Sequence, residues 1–396
     1  MILVCLNLFK MGNKFWESED TTFDLERCKD NFISNMDFIA SMSVEEQTLY
    51  KKWIELNGDL LSNFEKLPRL SSYYDLLWFP TDMSNYDLTI SEINSLEPYA
   101  EIANDNETNR WIGIRKLIHT MSYDTGVGRN MKVYIKDRNT GKILGLINLS
   151  SDVTSLGVRD KHIGWTKDNK FVDGKLNNTT IASTIVSVQP LGYNMLGGKL
   201  VSLLATSPVI RDEWYKRYND VLVGITTTSL YGIHSQYNGL PNFKTLGESK
   251  GMISIKPDDS VYEPMHHYVK ELDPIWYAKA MLATGPKQNV LKRIFKEFDI
   301  KPDKYNHGFK RGIYFAGMYE NGNDYLCSKI EVKDLILKPK FVDDTKMIQW
   351  WKKHAVSRYT KLYNESRLKN ETLYYIDVIG MTWDECKTKY LQEVGR

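Results

Sequence analysis

The sequence predicts a mixed α/β protein, with a central sheet and added helical regions at both ends. Two alternating segments around a glycine turn at residues 131–149 predict a β-hairpin. Residues 187–229 read as strand, glycine turn, helix and strand. We therefore expect three regions, namely an acidic helical N-terminal region over 1–109, an α/β core over 110–335 and a basic helical region over 336–396.

Charge is spread unevenly along a chain whose net charge is only +2. Residues 1–110 carry 9 basic and 20 acidic residues, whereas residues 287–370 carry 19 basic and 10 acidic ones. A basic body indicates a polyanionic partner such as DNA, although a solvated surface is the alternative. The acidic N-terminal region is a candidate surface for a protein partner.

Composition indicates a soluble protein of a bacterial cytoplasm, with no metal site and no membrane span. The apolar start of the chain is too short to cross a bilayer and lacks preceding basic residues, and translation begins at either Met1 or Met11. High Asn, Lys and Tyr contents favour an AT-rich genome such as that of a bacteriophage. The cysteines form no CxxC pair and are expected to be reduced thiols: Cys5, Cys28, Cys327 and Cys386.

The N-terminal region begins its clearest helix at Ser43, which Glu46 follows in a capping-box pattern. In the core, Met131–Lys136 and Ile143–Leu149 are expected to form the hairpin strands. Three further strands are expected at Val221–Thr226, Met252–Ile255 and Arg311–Phe315, and basic helical sequence fills 345–369.

The turn after the strand at residues 185–188 is the main candidate for ligand binding. Pro190 ends the strand, and Gly192, Gly197 and Gly198 allow a sharp turn and close approach of a ligand. Lys199 and a helix follow directly, and free N–H groups at a helix start bind anions. The pattern predicts a phosphate-bearing cofactor, and a plain turn between packed elements is the alternative.

This succession of hairpin, strand, glycine turn, helix and strand resembles the core of the GNAT family of N-acetyltransferases. The resemblance implies that the turn, with Gln189, holds the pyrophosphate of acyl-CoA or a related donor, and that the next strand splays away to admit pantetheine. Residues 235–249, SQYNGLPNFKTLGES, resemble the last helix of that family, which carries an acid tyrosine. Tyr237, or Tyr231 nearby, would protonate the leaving group.

A narrower resemblance covers roughly residues 140–330. The segments LGLINLSS, RDKHIGW, LGGKLVSLL, LGESKG and RGIYFAG resemble the DruA-type family, which includes a component of the Druantia anti-phage system. They are also similar to phage Mom-like proteins, which have an acetyltransferase-type fold and modify adenine in DNA. The resemblance implies a protein that acts on nucleic acid.

The remaining candidates follow from residue type and position. Asp160 either lines a substrate pocket or forms an internal ion pair with Arg159, and Ser229 is a candidate for binding substrate or a pantetheine amide. Asn178 either makes a turn or bonds adenine. The candidate contacts with DNA are Arg159, Asn178, Lys250, Lys352, Lys353 and Arg358.

These observations lead to one main hypothesis and two alternatives. The main hypothesis is a GNAT-like acyl-type transferase that modifies a DNA base. The first alternative is a catalytically inactive DNA-binding protein with the same fold, which serves phage defence or its evasion, and the departure of the glycine turn from the family's Q/RxxGxG/A pattern favours it. The second alternative is a structural or assembly protein of a virion.

Overall fold

The structure is a computed structural model that describes residues 24–58, 65–66, 69–122, 128–230, 232, 236–249, 255–283, 285–306, 309–369 and 375–394. Its contacts divide the chain into two compact units. One unit comprises Met1–Ser41 and Met252–His307, and the other comprises Met42–Gly251 and Gly308–Arg396. Within the described part of the chain, no helix has the length and apolar character needed to cross a membrane.

Helices in both units start where the sequence supplies a cap. Asp24 caps the first helix through Arg27 N, and Ser43 and Glu46 form the predicted capping box. In chain order the helices are α1 Leu25–Ala40, α2 Val44–Asn57, α3 Tyr86–Ser95, α4 Thr108–Ile118, α5 Gly157–Ile163, α6 Leu191–Asn194, α7 Gly197–Leu204, α8 Pro208–Tyr218, α9 Asp259–Leu272, α10 Pro274–Leu282, α11 Pro286–Glu297, α12 Gly322–Leu326, α13 Thr345–Asn364 and α14 Trp383–Val394.

The unit that contains α1 is helical in its described residues. α1 buries Phe32, Met36 and Ile39, and it contacts α9, while α9 contacts α10 and α11. Asn35 ties α1 to the start of α9, because its Nδ2 donates to Asp258 Oδ2 at 2.7 Å and its Oδ1 accepts from Asp258 N at 3.0 Å. The N-terminal helix is therefore joined to residues more than two hundred positions later.

The other unit is built on a seven-stranded sheet. The strand order is β1-β2-β3-β4-β5-β7-β6, and every neighbouring pair is antiparallel except β4 and β5, which are parallel. This confirms the predicted mixed α/β class. The strands are β1 Pro98–Ile102, β2 Asn130–Asp137, β3 Ile143–Ser151, β4 Thr179–Ser187, β5 Gly224–Ser229, β6 Lys244–Glu248 and β7 Gly312–Gly317.

α7 packs closely on the sheet because Gly145 of β3 lies beneath it. A Cβ atom at this position would lie 2.3 Å from Val201 Cγ2 and 2.6 Å from the Val186 carbonyl oxygen. The buried residues of α7 join those of β2, β3 and α13 in one hydrophobic core. The absence of a side chain at Gly145 therefore sets the distance between the glycine-turn helix and the sheet.

Several elements differ from the sequence prediction. The hairpin is confirmed as β2 and β3, but β1 lies within the region predicted as helical. β6 occupies the segment that resembles the last GNAT helix, because residues 244–248 pair with β7. The strand predicted at Val221–Thr226 begins at Gly224, and residues 252–254 of another predicted strand lie outside the described residues. The compact units also cross the predicted boundaries, since β1 and α13 belong with the core.

Gly145→Ala is expected to lower the free energy of unfolding by about 1–3 kcal/mol, because the added methyl overpacks the contact with α7. Chemical denaturation measures the change. Gly157→Ala at the start of α5 is the control, since no atom lies within 4 Å of a Cβ there. Equal stability of the two variants would show that the approach of α7 does not depend on Gly145.

Candidate functional site at the diverging strands

The sheet opens between β4 and β5. These strands pair only at Thr179 with Gly224, Thr180 with Ile225 and Ile181 with Thr226. Beyond this point β4 continues with β3, and β5 continues with β7. We call the region between residues 182–187 of β4 and 227–229 of β5 the wedge. Main-chain groups that face the wedge have no strand partner across it and need other hydrogen-bond partners.

Side chains of the protein itself supply partners in the wedge. Gln236 Nε2 donates to the Ile185 carbonyl oxygen at 3.1 Å, and Thr227 Oγ1 donates to the Ala182 carbonyl oxygen at 3.0 Å. The neighbouring ring of Tyr237 is buried beside Tyr314, with 5.1 Å between the ring centroids. Residues 236 and 237 therefore lie at the wedge, where Gln236 bonds the main chain of β4.

The glycine turn is packed against these same residues. A Cβ atom at Gly198 would lie 2.2 Å from Gln236 Oε1, and one at Gly192 would lie 2.5 Å from Gln189 Nε2. Gln189 Oε1 accepts from Tyr193 N at 3.0 Å, and the N–H of Gly192 donates to the Val188 carbonyl. Gln189 and Gly192 thus stabilise the turn from within, while Gly197 and Gly198 open α7 and are both buried.

Lys199 is partly buried and bonds main-chain oxygens. Its Nζ donates to the carbonyl oxygens of Gln236 at 3.3 Å and Asn238 at 2.5 Å. Burial lowers the pKa of this ammonium group below its ordinary value. Lys199 therefore connects α7 to the segment that fills the wedge, and binding a donor phosphate would require it to leave these oxygens.

The predicted acid Tyr237 lies at the wedge but is surrounded by aromatic rings. Burial raises the pKa of its phenol, so the proton is held more tightly than in water. Ser229 is buried in β5 and lies opposite Gly312 of β7. Tyr231 and Lys250 lie outside the described residues. The structure thus brings two of the predicted residues together. Tyr237 belongs to the 236–238 segment, and Lys199 bonds the residues on either side of it.

An ion network lies where the pairing of β4 and β5 ends. The side chains of Arg159 and Asp152 have no exposed surface, and Arg159 Nη1 lies 2.6 Å from Asp152 Oδ1. Asp160 receives Arg159 Nη2 at 2.7 Å and Lys170 Nζ at 2.5 Å. Thr226 Oγ1 donates to Asp152 Oδ2 at 2.9 Å. This network joins the loop after β3 to Thr226, the last residue of β5 that pairs with β4.

Two predicted DNA contacts need correction. Arg159 cannot reach a phosphate because its guanidinium is enclosed by carboxylates and lies 5.1 Å from the Trp165 ring. Asn178 is buried, and its Nδ2 donates to the Val221 carbonyl oxygen at 2.9 Å. Asn178 therefore joins the start of β4 to the loop before β5, which is a structural role.

Some basic residues of α13 bond other parts of the protein, and others are exposed to solvent. Lys352 donates to the Asn94 carbonyl oxygen at 2.6 Å, whereas Lys353 is exposed. Arg358 lies over the Tyr193 ring at 5.1 Å, next to Lys369. Lys369 ends the segment 345–369 that the sequence analysis predicted as basic and helical, whereas no sequence signal singled out Tyr193. Within the described residues, no group of three or more His, Cys, Asp or Glu side chains is arranged to hold a metal ion.

Comparison with known proteins identifies the family of this chain. The model of the family described as "Druantia protein DruA" matches residues 89–328, which is more than half of the chain. The chain belongs to the DruA family. The match contains the sheet strands, the wedge, the glycine turn and the ion network, whereas α13 lies beyond it.

One curated DruA protein is also similar to this chain. "Druantia protein DruA" of Escherichia coli (strain UMEA 4076-1) is 27% identical over 256 residues, which cover 59% of this chain and 62% of the relative. The chain therefore spans less than two thirds of the length of this DruA protein. No solved structure matches the chain.

Asp152→Asn is expected to lower the free energy of unfolding by about 3–5 kcal/mol, because it leaves the buried Arg159 with one carboxylate fewer. Urea denaturation measures the change. Glu331→Gln is the control, since the side chains of its ion pair with Lys333 are 74% and 76% exposed, and it is expected to change stability by less than about 0.5 kcal/mol. A loss below about 1 kcal/mol in Asp152→Asn would contradict the proposed importance of the network.

Proposed function

We propose that this chain is a DruA-type component of phage defence that binds DNA, and that its wedge is closed to an acyl donor in the described state. The observation that carries the second part is the hydrogen bond from Gln236 to Ile185 within the wedge. The role in defence rests on membership of the DruA family and on the name of the Escherichia coli relative.

A GNAT-like architecture is supported by the way the sheet opens. In that family the strand after the glycine turn and helix splays from its parallel neighbour. Here β5 pairs with β4 over three residues and then continues with β7. The turn that leads into α7 lies next to this opening. We therefore propose that the sheet shares the GNAT plan, while residues 236–238 take the space that the donor takes in that family.

DNA binding is supported by the exposed face of α13. The helix buries Met347, Trp351, Ala355, Tyr359 and Leu362. Its opposite face exposes Lys346, Lys353 and Lys361. Of these lysines, Lys361 lies 3.9 Å from Glu365, the only carboxylate within ion-pair distance of them among the described residues. A row of lysines with few carboxylates suits contact with phosphates, which adds affinity independent of sequence.

Acyl transfer to a base is the second candidate function. It is favoured by the opening between β4 and β5 and by Tyr237 beside it. The bonds that close the wedge involve a side-chain amide and an ammonium group, which a donor with matching polar groups can replace. This candidate requires binding of acyl-CoA, whereas the closed-wedge proposal predicts none.

DNA binding is expected to weaken with salt, and the Lys346→Gln, Lys353→Gln, Lys361→Gln triple variant is expected to reduce the slope of log K against log salt by about 0.9 per lysine. Fluorescence anisotropy with a labelled duplex measures this. The control replaces Lys216, Lys329 and Lys333, which are 80%, 67% and 76% exposed elsewhere, by Gln. Equal slopes for both triple variants would contradict binding through α13.

Acetyl-CoA is expected to leave the melting temperature of the wild-type chain unchanged, because Gln236 and Lys199 occupy the donor's place. Differential scanning fluorimetry measures this, with Gln236→Ala as a variant that opens the wedge. Mass spectrometry of nucleosides from co-expressed DNA provides a second measurement. A stabilising shift of the wild type together with a modified nucleoside would reject the closed wedge and establish acyl-type transfer.

A further inference from the structure

A cationic pocket lies on the outer side of the glycine turn. It has a volume of about 420 Å³ and is lined by Tyr193, Arg367, Leu368 and Lys369. Tyr193 belongs to the turn between β4 and α7, whereas the other three residues follow the end of α13. Arg358 of α13 completes the surroundings of the Tyr193 ring. The pocket is therefore formed by two segments that are distant in the sequence.

Three cations converge on the Tyr193 side chain. The guanidinium carbon of Arg358 lies 5.1 Å and Lys369 Nζ lies 4.8 Å from the ring centroid. Arg367 lines the same pocket as Tyr193. The negative face of an aromatic ring attracts cations without neutralising them. The ring thus holds positive charges close together and leaves their charge available to a ligand.

The walls of the pocket are fixed by buried hydrogen bonds. Asn194 is fully buried, and its Nδ2 donates to the Lys369 carbonyl oxygen at 2.8 Å while its Oδ1 accepts from Lys369 N at 3.0 Å. On the other wall, Gln189 Oε1 accepts from Tyr193 N at 3.0 Å. Both walls are therefore positioned before any ligand binds, which lowers the entropy cost of binding.

Carboxylates of the described residues balance the charges of the pocket only in part. Glu365 pairs with Arg367 Nη1 at 2.7 Å. Arg358 has no carboxylate within ion-pair distance among the described residues, and its Nε contacts only the Tyr193 carbonyl oxygen, at 3.4 Å. Like charges held close together repel, and a bound anion with several oxygens removes this repulsion.

We infer that this pocket binds a phosphate group of the nucleic-acid backbone. The planar guanidinium group has donors spaced to match phosphate oxygens, whereas the ammonium group of a lysine attracts phosphate as a point charge from any direction. Arg358 and Lys369 already lie over the Tyr193 ring, so the ring positions these cations instead of stacking on a base. The cations then recognise the phosphate group of the ligand. This inference rests on the proposed function, because it specifies one site within the DNA-binding surface.

The experiment compares the Arg358→Gln, Lys369→Gln double variant with the control Lys216→Gln, Lys329→Gln, which removes the same charge at lysines that are 80% and 67% exposed and lie outside α13. Inorganic pyrophosphate is the first probe, titrated against sodium chloride of equal ionic strength in a thermal-shift assay. It is expected to raise the melting temperature of the wild type and the control by about 2 °C or more, and to leave the pocket variant unchanged.

A labelled DNA duplex is the second probe. The pocket variant is expected to bind it about tenfold more weakly than the wild type at 0.1 M salt. Arg367→Gln alone, at a side chain that is 56% exposed, provides a milder variant in case the double variant folds poorly. It is expected to weaken pyrophosphate and duplex binding in the same direction.

The outcomes separate this inference from the proposed function. DNA binding that survives in the pocket variant, with an unchanged pyrophosphate shift, overturns the pocket and leaves DNA binding intact. Pyrophosphate binding by a wild type that does not bind DNA overturns both the proposed function and the nucleic-acid assignment, and shows a small-anion site. No pyrophosphate shift in the wild type overturns the inference directly.

Discussion

The end of pairing between β4 and β5 is the constraint on which the candidate site depends. Buried carbonyl groups without a ladder partner are costly, so something must bond Ile185 and Ala182. Side chains rather than a strand meet this need, because Gln236 and Thr227 donate to these carbonyl oxygens. A side-chain amide resembles the amides of a peptide-like ligand. A side-chain amide of the protein itself therefore bonds the main chain inside the wedge.

The wedge is held at both of its ends. At its closed end, Asp152 after β3 accepts from Thr226, the last residue of β5 that pairs with β4. At the other end, Lys199 of α7 bonds the carbonyl oxygens of Gln236 and Asn238. α7 also packs tightly on Gly145 of β3. The glycine turn, α7 and the 236–238 segment are therefore held together by direct contacts.

Sequence patterns predicted local secondary structure well, but they did not predict which distant residues contact each other in the fold. The hairpin, the capped α2 and the turn before α7 follow from periodicity and turn residues, which act within a few positions. For Arg159 and Asn178 the structure agrees with the alternatives to DNA contact, namely an internal ion pair and a turn. Their burial is set by contacts with Asp152 and Val221, which no local pattern specifies. The pairing of α1 with α9 was unpredictable for the same reason.

The anion site that we propose beside the glycine turn uses other residues than those that the sequence pattern favoured. The sequence pattern favoured Lys199 as the residue that binds the anion, but its ammonium group donates to the carbonyl oxygens of Gln236 and Asn238. Trp351 of α13 donates to the carbonyl oxygens of Met195 and Leu196 at 3.0 and 3.2 Å, which seats the basic helix on the turn. Arg358 and Lys369 thereby come to the outer side of that turn. Positive charge beside the turn is thus supplied by a segment that lies beyond residues 89–328, the part of the chain that the DruA family model matches.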